Sequence, residues 1–435
     1  MNNLTEDPAH DYFADGLTGE IIRNLSIIDG LAVRSQTSSF AVKSKPQSAR
    51  DAGKQLAADY ILEGSVQRAG QQLRITVQLV RVSDDFPLWS GRYDREFTDI
   101  FAIQDEISRG IVNSLRLKLG RGRRRYETSA EAYDLYLRAR ALGDAGRFGL
   151  SGVRQSVPVF EQAIAKDPAF APAYAGLALG HVLLSGNFNY DIPEEVAKMR
   201  PAAERAIQLD PLSAEAYDAL AAAYAREAQW EQSEKSFLRA MEIQPGRAES
   251  HAYLAAYLLL PLGRIDQAIQ QLRIAEKNDP LSSFVHFWLG DALADAGRNE
   301  EAAGACEKLP PSAAQRDECI LGARARQGRA NEVIQVCERD PAKCKDGYPL
   351  GCAYARTGHR QEAEKVFADT RDISHALILA CLGDKDRVFE SLDRDAVVGP
   401  IRMGVVLNRV DRESPGLLRG DPRLKALRKK VGLPE

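Results

Sequence analysis

A proline that recurs about every 34 residues is the feature that most constrains the fold of this 435-residue chain. Pro168, Pro211, Pro245 and Pro280 are separated by 43, 34 and 35 residues. Nine residues after each proline comes a leucine, followed directly by Ala or Gly; the leucines are Leu177, Leu220, Leu254 and Leu289. Two antiparallel helices need a small residue where their backbones cross closely, and a proline ends the second helix. The pattern therefore predicts a stack of helix pairs.

A period close to 34 residues is that of the tetratricopeptide repeat. The larger spacing of 43 residues predicts one repeat with a loop insertion, and weaker copies continue to about residue 370. We predict about seven helix pairs over 129–370, a shortened pair over 374–393, and a capping segment at 396–435. The repeat region spans 129–395. The apolar run at 170–186 is then the buried first helix of a repeat, and no membrane span is expected.

Residues 1–118 have different periodicities, which predict an α+β domain. Helical spacing predicts a helix from about 14 to 28 that ends at Gly30, followed by a short strand at 31–35 and a second helix at 48–60. The runs YILEGSVQRA, QLRITVQLVRV and PLWSGRYDRE predict an antiparallel meander, and a helix capped by Asp99 closes the unit. The expected fold class is an α+β N-terminal domain, a mixed sheet with helices, followed by an all-α tetratricopeptide-repeat solenoid.

A short basic run is the strongest charge feature of a chain whose net charge is only -3. Residues 120–125 read GRGRRR and lie in a predicted linker at 119–128. Four arginines could contact phosphates or anionic lipid headgroups, while the alternative is a solvated linker without interleaved aromatic residues. The near-neutral balance predicts no direct nucleic-acid binding. The candidate anion-contacting residues are Arg121, Arg123, Arg124 and Arg125.

The sequence offers no catalytic constellation. Its six histidines form no His-x-x-x-His pair, and phosphate-binding loops and a Gly-x-Ser-x-Gly elbow are absent. Adjacent carboxylates such as Asp84 and Asp85 lie in predicted turns, where they are solvated. We therefore expect no enzymatic activity, no cofactor and no metal.

All six cysteines follow residue 305 and none forms a Cys-x-x-Cys motif. Four of them recur at similar repeat positions, so we interpret them mainly as small packing residues. The alternative is disulfides in an oxidising compartment, with Cys337 and Cys344 as the most plausible local pair. The amino-terminal residues show no secretory signal peptide, so we expect a cytoplasmic location. The cysteines are Cys306, Cys319, Cys337, Cys344, Cys352 and Cys381.

A solenoid of helix pairs presents a concave groove lined by its first helices, and such grooves bind peptides. The predicted groove is acidic and apolar, with a single cation, which favours a basic or apolar peptide from an unidentified protein partner. Repeat geometry places these residues in it: Glu215, Asp218, Ala222, Arg226, Glu249, Ala252, Ala256, Phe284, Phe287, Asp291 and Asp295.

The amino-terminal half resembles a known bacterial domain. The segments YFADGLTGEIIRNLSIIDGLAVRSQTSSFAVK and LAADYILEGSVQRAGQQLRITVQLVRVSDDFPLWSGRYDREFTDIFAIQDEIS are similar to the TolB amino-terminal-like (FlgO-like) α/β domain. In that family the domain is followed by tetratricopeptide repeats in class III adenylate cyclases, winged-helix transcriptional regulators and some serine/threonine kinases. The ending LLRGDPRLKALRKKVGLP at 417–434 also resembles the usual close of such chains. No residue of an effector domain can be carried over, because none has a counterpart here.

The resemblance leaves two alternatives for the first strand of the sheet. In the family an apolar strand of the form I-A-V-L-P-F precedes the segment that here reads NNLTEDPAHDYFADG. Either the sheet lacks this strand, which would leave an open edge and a route to homo-oligomers, or Met1 is an internal or misassigned start. We expect a non-catalytic sensory or protein-binding module of a bacterial signalling system. The alternatives are the regulatory portion of an adenylate cyclase or transcriptional regulator, and an envelope or flagellar-assembly accessory protein.

Overall fold

The structure is a computed structural model that describes most of the chain. The described residues are 1–4, 11–26, 28, 31–43, 48–115, 128–145, 150–185, 193–311, 313–344, 347–369, 373–394, 396 and 399–434. The predicted basic linker, with Arg121, Arg123, Arg124 and Arg125, lies outside them.

The amino-terminal residues form a mixed four-stranded sheet in the order β1-β2-β3-β4, packed against helices. Its strands are β1 (Asn2–Asn3), β2 (Tyr60–Ala69), β3 (Gln72–Arg81) and β4 (Phe86–Glu96). Its helices are α1 (Asp11–Ser26), α2 (Gln36–Lys43), α3 (Ala49–Leu56) and α4 (Ile100–Ser114). β2, β3 and β4 pair antiparallel, whereas the two residues of β1 pair parallel to β2. The predicted meander is therefore confirmed.

One local prediction is wrong. Residues 31–35 form no strand, because Leu31 and Val33 pack against the core without a neighbouring strand to pair with. Asp99 is the N-cap residue of α4, as predicted, and its side chain makes no capping hydrogen bond. Helix α2 was not predicted, since its Ser- and Thr-rich sequence has low helix propensity. Its Ser38 hydroxyl contacts Asp279 of the repeats and accepts from the backbone N–H of Leu281 at 2.9 Å, so long-range contacts stabilise it.

The rest of the described chain is a stack of helix pairs, as predicted. Seven pairs lie between Ala130 and Asp369, and an eighth lies between Ile373 and Arg394. They are α5 (Ala130–Ala145) with α6 (Leu150–Lys166), α7 (Ala171–Leu184) with α8 (Pro193–Leu209), α9 (Ala214–Arg226) with α10 (Trp230–Ile243), α11 (Ala248–Tyr253) with α12 (Ile265–Asn278), α13 (Ser283–Asp295) with α14 (Asn299–Glu307), α15 (Ala314–Arg326) with α16 (Ala330–Arg339), α17 (Tyr348–Arg356) with α18 (Arg360–Asp369), and α19 (Ile373–Cys381) with α20 (Lys385–Arg394). Helix α11 continues into a buried π-helical segment, Leu254–Leu259.

The carboxyl-terminal segment does more than cap the last repeat. It contains α21 (Pro400–Glu413) and α22 (Pro422–Lys430). Helix α21 reaches the fourth helix pair, where Asn408 Nδ2 donates to the Leu260 carbonyl at 2.5 Å. Beyond α22, the Gly432 carbonyl accepts from Trp230 Nε1 at 2.8 Å. The segment therefore connects the last repeats with those in the middle of the stack.

The sheet and the first repeat share one hydrophobic core. Phe13 of α1 and Phe97 before α4 are buried in the same cluster as Tyr133 and Tyr136 of α5. The ring centroids of Phe97 and Tyr133 are 6.3 Å apart. Burial of apolar area across this contact stabilises both parts at once. The boundary predicted near residue 118 is thus not a boundary between two cores.

Candidate peptide-binding groove

The predicted groove residues lie on α9, α11 and α13, the first helices of three consecutive pairs. First helices of neighbouring repeats contact one another, as α9 does with α11 and α11 with α13, and so form one wall. The wall carries charged groups at two places, one facing the sheet domain and one facing α21.

Glu215 belongs to an arginine-rich cluster near the sheet domain. Its carboxylate forms an ion pair with Arg140 of α5, and its side chain is 11% exposed. Burial would raise the pKa of Glu215, but the guanidinium groups of Arg140, Arg247 and Arg23 outweigh it and lower the pKa to about 2. Arg23 comes from α1, so the amino-terminal domain contributes to this part of the wall.

Asp218 lies one turn further along α9 and is fully buried. One of its oxygens accepts from Arg247 Nε and from the Ser250 hydroxyl, both at 2.9 Å. Burial is the largest influence on this carboxyl and raises its pKa to about 6, against the opposing effect of Arg247. Asp218 therefore fastens α9 to α11 within the wall.

Little space remains beside Glu215 for a ligand. A cavity of about 60 Å³ is lined by Arg140, Glu215, Arg247, Glu249 and Tyr253, among others. A water molecule takes up roughly 30 Å³ in the liquid, so this cavity has room for about two. A peptide could bind here only if these side chains moved.

The middle of the wall is aromatic. The ring of Phe284 lies 5.5 Å from that of Tyr253, and the ring of Phe287 lies 5.2 Å from that of Trp288. Trp288 is fully buried, while Phe284 and Phe287 are half-buried. The guanidinium of Arg226 lies 5.9 Å from the ring centroid of Tyr257. The half-buried rings of Phe284 and Phe287 lie on α13.

Asp291 and Asp295 bind the protein's own carboxyl-terminal helix. Arg409 of α21 donates to Asp291 at 2.9 Å, and Arg412 donates to Asp291 at 2.8 Å and to Asp295 at 2.9 Å. Burial opposes the ionisation of Asp291, but the guanidinium groups of Arg409 and Arg412 outweigh the effect of burial and lower the pKa of Asp291. For Asp295 burial is the largest influence, and it raises the pKa. Three positions separate the two arginines, so both lie on one face of α21.

Glu413, the last residue of α21, accepts from three arginines. Its fully buried side chain accepts from Arg326 at 2.8 Å, Arg356 at 2.6 Å and Arg412 at 3.1 Å, and also from the Tyr348 hydroxyl at 2.7 Å. Burial would raise the pKa of Glu413, but the arginines outweigh it and lower the pKa to about 2. This cluster ties α21 to α15 and α17.

The expectation of an acidic wall with Arg226 as its one cation is wrong. Arginines pair with most of its carboxylates, and repeat geometry did not find them, because all but Arg247 lie outside the three wall helices and Arg247 immediately precedes α11. For Arg409 and Arg412 the sequence did contain a signal, because their spacing of three residues places both on one face of a helix. The arginines that were missed are Arg23, Arg140, Arg247, Arg326, Arg356, Arg409 and Arg412.

The interpretation of the cysteines as mainly packing residues is also wrong. The structure pairs them as Cys306–Cys319, Cys337–Cys344 and Cys352–Cys381, and it contains the local pair named as the alternative. The Cα atoms of the pairs are 5.3–6.1 Å apart. Helices of the stack bring Cys306 to Cys319 and Cys352 to Cys381, whereas Cys344 lies in the short turn of 3-10 helix after α16.

One group of side chains has the composition of a metal site. Sulfur and oxygen atoms of Cys352, Cys381 and Glu413 lie within 4.8 Å of one another. The two sulfurs are bonded to each other, and Glu413 faces three guanidinium groups. This arrangement does not suit a cation. Among the described residues, no helix is both long enough and apolar enough to cross a membrane.

Comparison with known proteins identifies similarities to two families over parts of the chain. Residues 253–317 match the model of a tetratricopeptide repeat, and residues 6–109 match that of the HilA/YgeH-like transcriptional regulator, second domain. Over 184 residues the chain is 39% identical to "Putative adenylate cyclase 3" of Rhizobium meliloti (strain 1021). The match covers 41% of this chain and 31% of that relative, so the chain spans less than a third of the relative's length.

Solved structures with similar folds include three that are 16–18% identical to this chain in sequence. YrrB, described as a TPR protein with an unusual peptide-binding site, is 18% identical, with 54% of this chain and 97% of that chain covered and a TM-score of 0.28. PilF of Pseudomonas aeruginosa is 16% identical, with 55% and 98% covered and a TM-score of 0.35. A monomeric IFIT1 mutant with Gppp-AAAA is 16% identical, with 77% and 70% covered and a TM-score of 0.37.

Proposed function

We propose that this chain is a non-catalytic protein-interaction module of a bacterial signalling system, and that its repeats hold a partner segment in the concave groove. The observation that carries the proposal is the contact between the wall and α21. There the carboxylates of Asp291 and Asp295 bind guanidinium groups on a helix that lies outside the repeat pairs. The wall therefore has the chemistry to bind an arginine-bearing helix.

The proposed partner segment is a helix with basic and apolar residues. The half-buried rings of Phe284 and Phe287 supply apolar surface next to Asp291. Charge-assisted hydrogen bonds to guanidinium groups are stronger than neutral ones and fix the register of a helix. In this proposal Glu215, Asp218, Arg226 and Glu249 hold the wall together.

Photo-crosslinking in living cells tests the proposal. A photoreactive amino acid at Phe287 or Phe284, both half-buried on the wall, should capture a partner protein. The matched control positions are Leu238 and Ile274, which are exposed on the second helices α10 and α12. Capture of a partner only from Leu238 and Ile274 would contradict binding in the groove. Cyclisation or hydrolysis of a nucleotide by the purified protein would contradict a non-catalytic function.

A second candidate is the regulatory portion of an adenylate cyclase or a transcriptional regulator. The match of residues 6–109 to a regulator domain and the identity to a protein named as a cyclase favour it. The TolB-like relationship of the amino-terminal domain belongs to the same proposal. Co-expression with a cyclase catalytic domain should then change the cyclic AMP level, or deletion of the gene should change the transcript profile. If neither changes, this candidate is contradicted.

The location of the protein is part of the proposal. We propose a cytoplasmic location, whereas three disulfides are typical of an oxidising compartment and favour the envelope alternative. Trapping of thiols before lysis separates the two locations, because cytoplasmic protein should carry six alkylated cysteines and envelope protein should carry none.

A further inference from the structure

Helix α21 lies between the middle repeats and the last repeats, and its first eight residues, 400–407, are all buried. Ile401 and Val405 pack into the buried cluster of the middle repeats, together with Leu254 and Trp288. A second set of its side chains packs into the buried cluster of the last repeats and consists of Met403, Val406, Leu407 and Val410. The position of α21 therefore depends on both sets of repeats.

Helices α17 and α19 form the part of the last repeats that holds α21. Helix α17 supplies polar contacts, because the Tyr348 hydroxyl donates to Glu413 at 2.7 Å and Arg356 donates to it at 2.6 Å. Helix α19 supplies apolar contacts, and its residues in the buried cluster are Ala376, Leu377, Leu379 and Ala380. A change in the arrangement of α17 and α19 would therefore weaken both kinds of contact with α21.

The disulfide Cys352–Cys381 joins these two helices covalently. Cys352 lies four residues after Tyr348 and four residues before Arg356, so the three side chains share one face of α17. Cys381 is the last residue of α19, and its sulfur lies 3.8 Å from Glu413 Oε2. The disulfide therefore lies beside the carboxylate on which the attachment of α21 depends.

Reduction of this disulfide should begin at Cys381, which is half-buried, whereas Cys352 is only 1% exposed. A thiolate of a dithiol reductant attacks the Cys381 sulfur, the S–S bond breaks, and Cys352 leaves as a thiolate that takes up a proton. The second thiol of the reductant then attacks the mixed disulfide and frees Cys381, which also takes up a proton. The two electrons come from the dithiol, which ends as a disulfide.

We propose that reduction of Cys352–Cys381 by a dithiol releases α21 from the repeats, and that oxidation holds α21 in place. The disulfide keeps α17 and α19 together, and without it their separation gains chain entropy. The Cys381 sulfur and the Arg356 guanidinium also approach the same oxygen of Glu413. Since a neighbouring guanidinium favours the thiolate form of a cysteine, reduced Cys381 would repel Glu413 and compete with it for Arg356.

Release of α21 would uncover part of the concave wall. Arg409 and Arg412 of α21 pair with Asp291 and Asp295, so these carboxylates become available when the helix leaves. Only this consequence rests on the proposed function, in which the wall binds an arginine-bearing partner helix. Helix α21 is then an autoinhibitory segment, and the redox state of one disulfide controls access to the groove.

Hydrogen exchange of the full chain, followed by mass spectrometry with and without dithiothreitol, tests the release. We expect amides of residues 401–413 to exchange at least tenfold faster in dithiothreitol, while those of β3 stay unchanged. The double variant Cys352→Ser with Cys381→Ser should exchange fast at 401–413 in both conditions. The matched control, Cys337→Ser with Cys344→Ser, removes the disulfide beside α16 and should respond to dithiothreitol as the unaltered chain does.

Three outcomes would overturn the proposal: unchanged exchange at 401–413 in the unaltered chain, a response to dithiothreitol that persists in the Cys352→Ser, Cys381→Ser variant, or equal acceleration in α16, α18 and α20, which would mean general unfolding. If that variant does not fold, the unaltered chain and the control variant decide. Photo-crosslinking at Phe287 should capture more partner protein in dithiothreitol. Faster exchange at 401–413 without capture in either condition would support the release and contradict the proposed function.

Discussion

Glu413 is the residue on which the attachment of α21 depends most, because its buried carboxylate accepts from Arg326, Arg356 and Arg412. Replacement by Gln removes the charge and leaves three guanidinium groups facing a neutral side chain. Breaking a buried ion pair costs about 3–5 kcal/mol, so Glu413→Gln should lower the free energy of unfolding by about 3 kcal/mol. Urea denaturation measures this loss of free energy of unfolding. The control is Glu231→Gln, on the exposed surface of α10, which should leave the urea midpoint unchanged.

The same residue predicts a dependence on pH. The pKa of Glu413 is about 2 in the fold against an ordinary 4.5. A carboxyl whose pKa is lowered by folding stabilises the protein fully above its unfolded pKa, and this contribution is lost as the pH falls through the folded value. The difference between the unaltered chain and Glu413→Gln should therefore shrink between pH 4.5 and pH 2. A difference that stays constant over this range would contradict the ion-pair account.

At the scale of elements, the position of α21 depends on a glycine. A β-carbon at Gly404 would lie 2.2 Å from the Pro261 carbonyl oxygen, so Gly404→Ala must push α21 away from the π-helical segment. We expect a loss of about 1–3 kcal/mol in the free energy of unfolding, as for other overpacked contacts. Gly304→Ala in α14 is the matched control: no atom lies within 4 Å of the added methyl, and it should gain about 0.5–1 kcal/mol from helix propensity.

The three disulfides should stabilise the later repeats to different extents. Cys352–Cys381 closes 29 residues between α17 and α19, whereas Cys337–Cys344 closes 7. In the chain-entropy model these loops correspond to about 3–4 and about 2 kcal/mol, respectively. Thermal unfolding of the two double Cys→Ser variants should show this order without reductant. In reductant the differences in thermal stability between the variants and the unaltered chain should become small. If the same order of stability persists in reductant, the loss comes from packing and not from the disulfides.

At the scale of the whole molecule, the shared core predicts that the sheet and the first repeats unfold together. Tyr133 of α5 is 1% exposed and lies between Phe97 and Phe170. Tyr133→Ala should cost about 3–5 kcal/mol and accelerate hydrogen exchange in both β3 and α7. Phe86→Ala, at a side chain that is 57% exposed, is the control and should change neither. Faster exchange in α7 alone would mean that the sheet is an independent unit.

The repeats and the meander could be predicted because their signals are local. Pro211, Pro245 and Pro280 end helices at a regular spacing, and alternation in β3 places Leu73, Ile75 and Val77 on one buried face. Helix α2 could not be predicted, because its stability comes from contacts with Asp279, more than 200 residues away. The prediction of a strand at 31–35 was wrong for the opposite reason. The local sequence is suited to a strand, but no neighbouring strand lies beside it to pair with.

The sequence by itself determined the helix pairs and the antiparallel strands, because period and alternation depend on residues close in the chain. Only the tertiary structure decided what the buried charged side chains bind. Asp291 and Glu413 bind arginines of distant elements, and Cys352 pairs with Cys381. Such partners depend on how α21 and the sheet domain pack against the repeats, and packing of this kind leaves no periodic signal in the sequence.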